Sequence, residues 1–490
     1  MALFSRPRDG AVHPKRGLPE PAAGRGPVIA IIGGGASGTL AAVHLLRAAV
    51  ARRVPLRIAL IDRLGRHGLG QAYATTNPDH LLNAPAGRMS ALAGDPDHLV
   101  RWAAGHGFPA PGFLPRPVYG RYLRDLLGDA QLRAAPLSRL TELTADVVAV
   151  RPGTGGRPVR LVLGDGSCLE ADVAILASGN PPPVAPIPVP ASPRFVADPW
   201  APGALDAVAD GSPVVIMGTG LSMLDVAMSV TSTGGRSPAK VTAVSRHALL
   251  PRVHRGMPAP GGDSVWLPAL AGPPGPVRLG DLIWQVRAAM TSRPEQWQDV
   301  IDALRPEVPS LWQRLSPADQ RVFLRHVARY WEVHRHRMPP ATAQRITALR
   351  IAGRLRVLPA RVTAVTEQAG QLRISVAAGG AESQLAAGWL INATGPGTDI
   401  TATTDPLLRD LLSRGQARPD RHRLGIDASP DGAVLDSAGT PSATLFTLGP
   451  TLRGLRYETT AIPEIRDQAA ALAGQLTTAL PARYRPGSAA

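Results

Sequence analysis

A three-part pattern occurs twice in this chain, and each copy has the form of a nucleotide-binding α/β unit. In the first copy an apolar strand runs into a glycine turn, Val28-Ile29-Ala30-Ile31-Ile32-Gly33-Gly34-Gly35-Ala36-Ser37-Gly38. A second strand ends in an acid, Ile58-Ala59-Leu60-Ile61-Asp62, and a late strand closes in Ile175-Leu176-Ala177-Ser178-Gly179. The second copy reads Val214-Val215-Ile216-Met217-Gly218-Thr219-Gly220, then Val241-Thr242-Ala243-Val244-Ser245-Arg246, then Leu390-Ile391-Asn392-Ala393-Thr394-Gly395. The pattern predicts an α/β chain with two Rossmann-like dinucleotide-binding domains and a helical insertion in the second.

In the first turn Gly33 permits the sharp bend and Gly35 lets the backbone approach a pyrophosphate. Gly38 lets the following helix pack close to its strand. Ala36 and Ser37 open that helix, whose free amides and dipole favour negative charge. Asp62 ends the next strand with a carboxylate suited to ribose hydroxyls. The second turn keeps Gly218 and Gly220, followed by Ser222, but has Met223 where a third glycine would stand. Its helix is expected to pack less closely, with Asp225 in the first turn as a complement to the dipole. Arg246 stands where the first copy has its acid. A carboxylate there would repel a ribose 2′-phosphate and an arginine would pair with it, so NADPH is expected over NADH. Two dinucleotide sites in one chain are most simply FAD and a nicotinamide cofactor, a pairing that implies redox chemistry. No metal site is read from the sequence.

After each turn a similar stretch of short strands follows, at 146–176 and again at 361–391. Pro181-Pro182-Pro183-Val184-Ala185-Pro186-Ile187-Pro188 marks a stiff crossing. The FAD domain is therefore expected to be discontinuous, 28–180 plus 395–480, with the NAD(P)H domain at 190–394. Residues 255–350 interrupt the second unit and read as helices at 279–290, 294–304, 318–334 and 341–351. With no counterpart in the first copy, they are the candidate substrate cap. They hold a cluster of arginine, histidine and aromatic residues from Arg325 to Arg337. At helical spacing His326, Tyr330 and His334 share a face. One reading is recognition of an anion; the other is a solvated helix face with Trp331 in the core. Trp284, Trp297 and Trp312 read as core anchors. Near the C-terminus a strand ends at Gly449-Pro450, and a helix follows Tyr457-Glu458-Thr459-Thr460, placed to face a flavin.

Composition narrows the class. The 490 residues carry a formal charge of +16, almost all of it arginine, with lysines only at 15 and 240. The charge is scattered and accompanies no recognised module, so nucleic-acid binding is not expected. Attraction of anionic small molecules is. Cys168 is the single cysteine, which excludes an intrachain disulfide and a paired-cysteine electron relay. No apolar run reaches the roughly 20 residues of a membrane span. Residues 1–27 read as a disordered tail without the apolar stretch of a secretory signal, so a cytoplasmic location is expected. The oligomeric state is left open.

Gly68-Leu69-Gly70-Gln71-Ala72-Tyr73-Ala74-Thr75 and His80-Leu81-Leu82-Asn83-Ala84-Pro85-Ala86-Gly87-Arg88-Met89-Ser90 resemble a bacterial FAD/NAD(P)-binding family. Val118–Leu123, Trp331–Arg337 and Tyr457–Arg466 fit it as well. That family includes flavin-dependent urate hydroxylases and aspartate N-monooxygenases. The resemblance implies FAD contacts from Gly33, Gly35, Gly38 and Asp62, and contacts to the flavin ring near Asn83, Ala84 and Met89. Gly179, Gly395, Gly449 and Thr460 complete the expected cofactor contacts. His254, Arg255, Tyr330, His334 and Arg337 are the candidate substrate contacts. The acid that ends the late strand in many flavin reductases is replaced here by Pro450.

The leading expectation is an NADPH-dependent flavin monooxygenase that passes an oxygen atom from molecular oxygen to a small anionic or amine-bearing substrate. Two others stand beside it: a flavin dehydrogenase or reductase serving a quinone or partner protein, and a flavin-binding redox sensor.

Overall fold

The computed structural model describes residues 26–109, 112–151, 153, 157–232, 239–255, 275–292 and 294–483. All but two residues of the expected N-terminal tail lie outside them. The chain forms two parallel sheets, each built around one of the glycine turns. Val28–Ile32 is buried along its whole length, as a central strand covered on both faces must be. It pairs in parallel with Arg57–Asp62 on one side and Val173–Leu176 on the other. Arg139–Thr144 extends the sheet beyond 57–62, and Pro441–Thr447 extends it beyond 173–176. An antiparallel edge strand, Ala433–Leu435, completes six strands.

The second sheet repeats the arrangement with five parallel strands. Val214–Met217 lies between Val241–Ser245 and Trp389–Asn392, with Leu355–Pro359 and Phe195–Val196 at the edges. In both sheets the glycine turn thus leaves the carboxyl end of a strand whose two neighbours are reached by different connections, the point where α/β sheets bind ligands. The last part of each stretch of short strands divides in two. Asp172 and Gly388 break 168–176 and 381–392, so that Cys168–Ala171 and Ala381–Ala387 join separate three-stranded antiparallel sheets.

Helices Ala36–Arg52 and Ile462–Arg483 cover one face of the six-stranded sheet in a common apolar core. The small sheet at 147–171 and helix Pro406–Ser413 cover the other. The insertion is helical: Leu279–Ser292, Trp297–Leu304, Val308–Arg314, Pro317–Val322, Ala328–Arg335 and Pro340–Ile351. Its core contains Trp312 and Trp331, and Tyr457 from the C-terminal part of the chain. Trp284 departs from expectation and is 72% exposed. Leu279, Leu282, Ile283, Val286, Ala289 and Met290 form the inward stripe of its helix, and position 284 falls outside that period. The single helix expected at 318–334 is interrupted by a π-helical turn at Phe323–Val327. Among the described residues no helix is long and apolar enough to cross a membrane.

Candidate functional site: two glycine elbows facing a shared wall

The two glycine turns are nearly the same object. Gly33 and Gly218 both have φ of 110°, in the region open to glycine. The Gly33 amide donates to Ile61 O at 2.8 Å and the Gly218 amide to Val244 O at 2.9 Å. A Cβ on Gly33 would collide with the carbonyl of Ala177, and one on Gly218 with that of Ala393. Gly35 and Gly220 then stand at the N-caps of their helices, and neither helix start is capped by a side chain. A helix beginning leaves its first amides without intrahelical partners, and aligned peptide dipoles concentrate positive potential there. Both elbows therefore have the form of a pyrophosphate seat. They differ at the third position. A Cβ on Gly38 would collide with Gly33 O, whereas Met223 is accommodated and fully buried. The second elbow thus has room for a side chain where the first has none.

Asp62, at the end of its strand, accepts from the amides of Gly34 at 3.1 Å and of Leu64 and Arg66 at 3.0 Å. The carboxylate thus shapes the loop beside the first elbow as well as lining a cavity of about 610 Å³ there. Gly33, Gly35, Ala36, Ser37, Gly179 and Pro450 line the same cavity. Gly449 sits just behind its wall, its amide donating to Gln468 Oε1 at 2.8 Å. Asn83 and Met89 line neither this cavity nor the next. Met89 is buried, and its carbonyl accepts from the Tyr119 hydroxyl at 2.9 Å.

A second cavity, of about 1060 Å³, opens at the second elbow. Gly218, Gly220, Ser222 and Arg246 line it. Arg246 is exposed, with no carboxylate against it among the described residues. Asn180, Ser222, Ala393, Gly395, Pro396 and Thr460 line both cavities, so the two spaces meet at one wall.

Of the expected substrate segment, Trp331, Glu332, Val333 and His336 line the second cavity. Burial first, and then the charge of Arg335, pull the His336 pKa down to about 4, so its imidazole is neutral at pH 7. Glu458 also lines the cavity, accepts from Trp331 Nε1 at 2.8 Å, and lies 3.2 Å from Arg335 Nε. Burial pushes its pKa up, but Arg335 and then His336 outweigh that and leave it lowered.

The five individual substrate candidates are placed elsewhere. Arg255 is ion-paired with Asp299, and Arg337 with Asp302, while Gln298 Oε1 accepts from both residues. His254 is buried against Phe113, with Nδ1 on the carbonyl of Arg255. His334 Nδ1 bonds to the carbonyl of Tyr330 one turn back, and Tyr330 is 51% exposed. None of the five lines either cavity. Helix 297–304 supplies the acids and the glutamine that engage the two arginines, and no spacing in the sequence announces that pairing.

Two other groups come together across the sheets without a sequence signal. Asp225 is the fifth residue of helix Leu221–Thr231, not in its first turn, and is ion-paired with Arg116 at 2.6 Å. Burial pushes the Asp225 pKa up and Arg116 opposes the rise. His80 Nε2 donates to the carbonyl of Asp225 at 3.1 Å and contacts Ser229 Oγ at 2.9 Å. The first sheet's segment is thus tied to the helix that follows the second elbow.

Residues 30–181 match the family model described as FAD-NAD(P)-binding. No curated protein matches the chain in sequence. Among solved structures, the chain is similar to L-lysine 6-monooxygenase from Pseudomonas syringae, with a TM-score of 0.60 and 15% identity over 93% of this chain and 99% of that one. It is similar to the ornithine N-hydroxylase of Kutzneria sp. 744, with a TM-score of 0.56 and 15% identity over 92% and 99%. The bacillithiol disulfide reductase of Staphylococcus aureus gives 0.53 and 13% over 92% and 98%. At these identities the likeness establishes the fold: the mixed α/β, parallel-sheet architecture of FAD/NAD(P)-binding flavoproteins.

Proposed function

We propose that this chain is an FAD-dependent, NADPH-using oxidoreductase, a monooxygenase that hydroxylates a small, amine-bearing and anionic substrate with molecular oxygen. One observation carries it: two matching, uncapped helix starts open into two cavities that share a wall at Ser222, Gly395 and Thr460. Dinucleotides seated on both elbows would have their reactive ends converge on that wall. FAD fits the first elbow and NADPH the second, where Arg246 stands free for a 2′-phosphate. The corresponding division of the chain is 28–180 plus 395–480 for FAD and 190–394 for NADPH, with the insertion at 255–350.

A bound flavin would supply hydride acceptance and oxygen activation. The chain's own part is positioning. Amides at 35–38 and 220–222 hold phosphate charge, and Asp62 offers its carboxylate to a ribose. Trp331 and Val333 present apolar surface to the second cavity, and neutral His336 places a hydrogen-bonding group there without adding charge. The names borne by the similar structures support oxygen transfer to an amine: a lysine 6-monooxygenase, and an ornithine N-hydroxylase solved with reduced FAD, NADP+ and L-ornithine.

The same fold serves a disulfide reductase, so transfer of electrons to a quinone or partner protein is the second reading. A screen of small amines and amino acids for stimulation of NADPH oxidation, with product mass checked for one added oxygen atom, tests the proposal. Stimulated turnover with the oxygen recovered in product supports the monooxygenase. Fast turnover with quinones and no oxygenated product from any amine contradicts it.

A further inference from the structure

A third cavity, of about 700 Å³, lies on the far side of Glu458 from the second and touches neither elbow. Its volume is in the range of small-molecule sites. Glu458 lines both the second and third cavities. The turn at 447–452, which leads through Gly449 and Pro450 toward the first cavity, forms another part of its wall.

Most charges around it are already matched. Arg88 pairs with Asp302 at 2.6 Å, and Arg305 holds both oxygens of Glu464 at 2.7 Å. Arg466 donates to the carbonyl of Ser90 and to Asp467. Arg456 differs. Its Nη2 donates to the carbonyl of Pro430 at 2.8 Å, and no carboxylate pairs with it among the described residues. Burial alone pushes its pKa down, with no charged neighbour acting on it. Arg453, one turn earlier, lines the second cavity and is 3.2 Å from Glu332.

The backbone makes this division deliberate. Tyr457 has φ of +56° and ψ of −57°, and the Glu458 amide donates to Arg456 O at 2.7 Å. That is a γ-turn of the rarer, strained hand, on a bulky residue. The Tyr457 ring is stacked on Trp312 at 5.1 Å and meets Phe323 edge-on at 4.9 Å, so packing in the insertion holds the turn in place. The turn puts Arg456 on the third cavity and Glu458 between the two.

We propose that the third cavity is the substrate chamber and that Arg456 anchors a carboxylate of the substrate there. A partly desolvated guanidinium with unused N–H groups suits a carboxylate, which accepts two parallel bonds from its planar fork. The substrate would thus stand across Glu458 from the cavity of the nicotinamide nucleotide. This assignment rests on the redox reading given above.

The test titrates the full chain, with and without added FAD, with acetate, succinate and L-aspartate, following tryptophan fluorescence and Tm. At least one carboxylate should bind. Arg456→Gln should weaken its Kd about tenfold or more, the scale of a lost hydrogen bond to a charged group. Arg456→Lys should retain most of the affinity, and Arg453→Gln all of it. Failure of every carboxylate to bind, or equal affinity in Arg456→Gln, overturns the anchor. A chain that binds succinate through Arg456 but takes up no FAD would keep the anchor and remove the redox reading.

Discussion

A Cβ added at Gly220 would meet no atom within 4 Å, and the φ of −81° there suits any side chain. Gly220→Ala should therefore leave Tm within about 2 °C, the scale of a neutral surface change. The added methyl points into the space a pyrophosphate would fill, so NADPH binding should weaken about tenfold or more. Gly218→Ala is the opposite case: positive φ and a backbone collision predict a loss of about 1–3 kcal/mol or more in urea unfolding. Arg246→Glu should raise KM for NADPH at least about tenfold, through loss of a charge-assisted pair, and leave NADH little changed. Steady-state kinetics with both cofactors measures it. His336 contributes a pH dependence. Its pKa falls from 6.5 to about 4 in the fold, so between those values the unfolded chain binds more protons than the native one. Stability should drop as pH falls from 6.5 toward 4, by at most about 3 kcal/mol, and His336→Gln should flatten that slope in urea titrations. At this scale the sequence was informative about position rather than contact. Gly33, Gly218, Asp62 and Arg246 occupy strand ends, and strand ends are readable. Arg456 and Glu458 gain their meaning from cavities, which no local pattern encodes.

The elements were legible where one period governs them, as in the buried strands 28–32 and 214–217 and the amphipathic helix 279–292. The single period expected over 318–334 breaks because the π turn at 323–327 holds an extra residue per turn and rotates the faces on either side of it. His326 and Tyr330 are exposed and His334 is partly buried, with Trp331 in the core, so of the two readings of that segment the structure matches the solvated helix face. Trp331, Glu332, Val333 and His336 line the second cavity instead. Between elements, the Arg116–Asp225 pair joins helix Arg116–Ala134 to helix 221–231, with side chains 16% and 6% exposed. Removing one partner leaves a buried charge, so Arg116→Met should cost about 3 kcal/mol, while Arg116→Met with Asp225→Leu should recover most of it. Urea unfolding of the two variants decides; equal losses in the single and the double variant would show that the pair is not the source.

Across the whole molecule, the repeated pattern made two nucleotide units readable, because each depends on short segments in a fixed order. Their meeting was not readable, since it depends on how the crossings near 180 and 395 set one sheet against the other. In the folded chain those crossings, with Ser222 and Thr460, form the common wall of the two cavities. Hydride transfer between cofactors held on that wall would be an event within a single chain. Anaerobic stopped-flow mixing of the FAD-loaded protein with NADPH addresses this most directly. The yellow flavin band should bleach at a rate that saturates with NADPH and does not change with protein concentration. A chain that takes up no flavin, or a bound flavin that NADPH leaves oxidised, would contradict it.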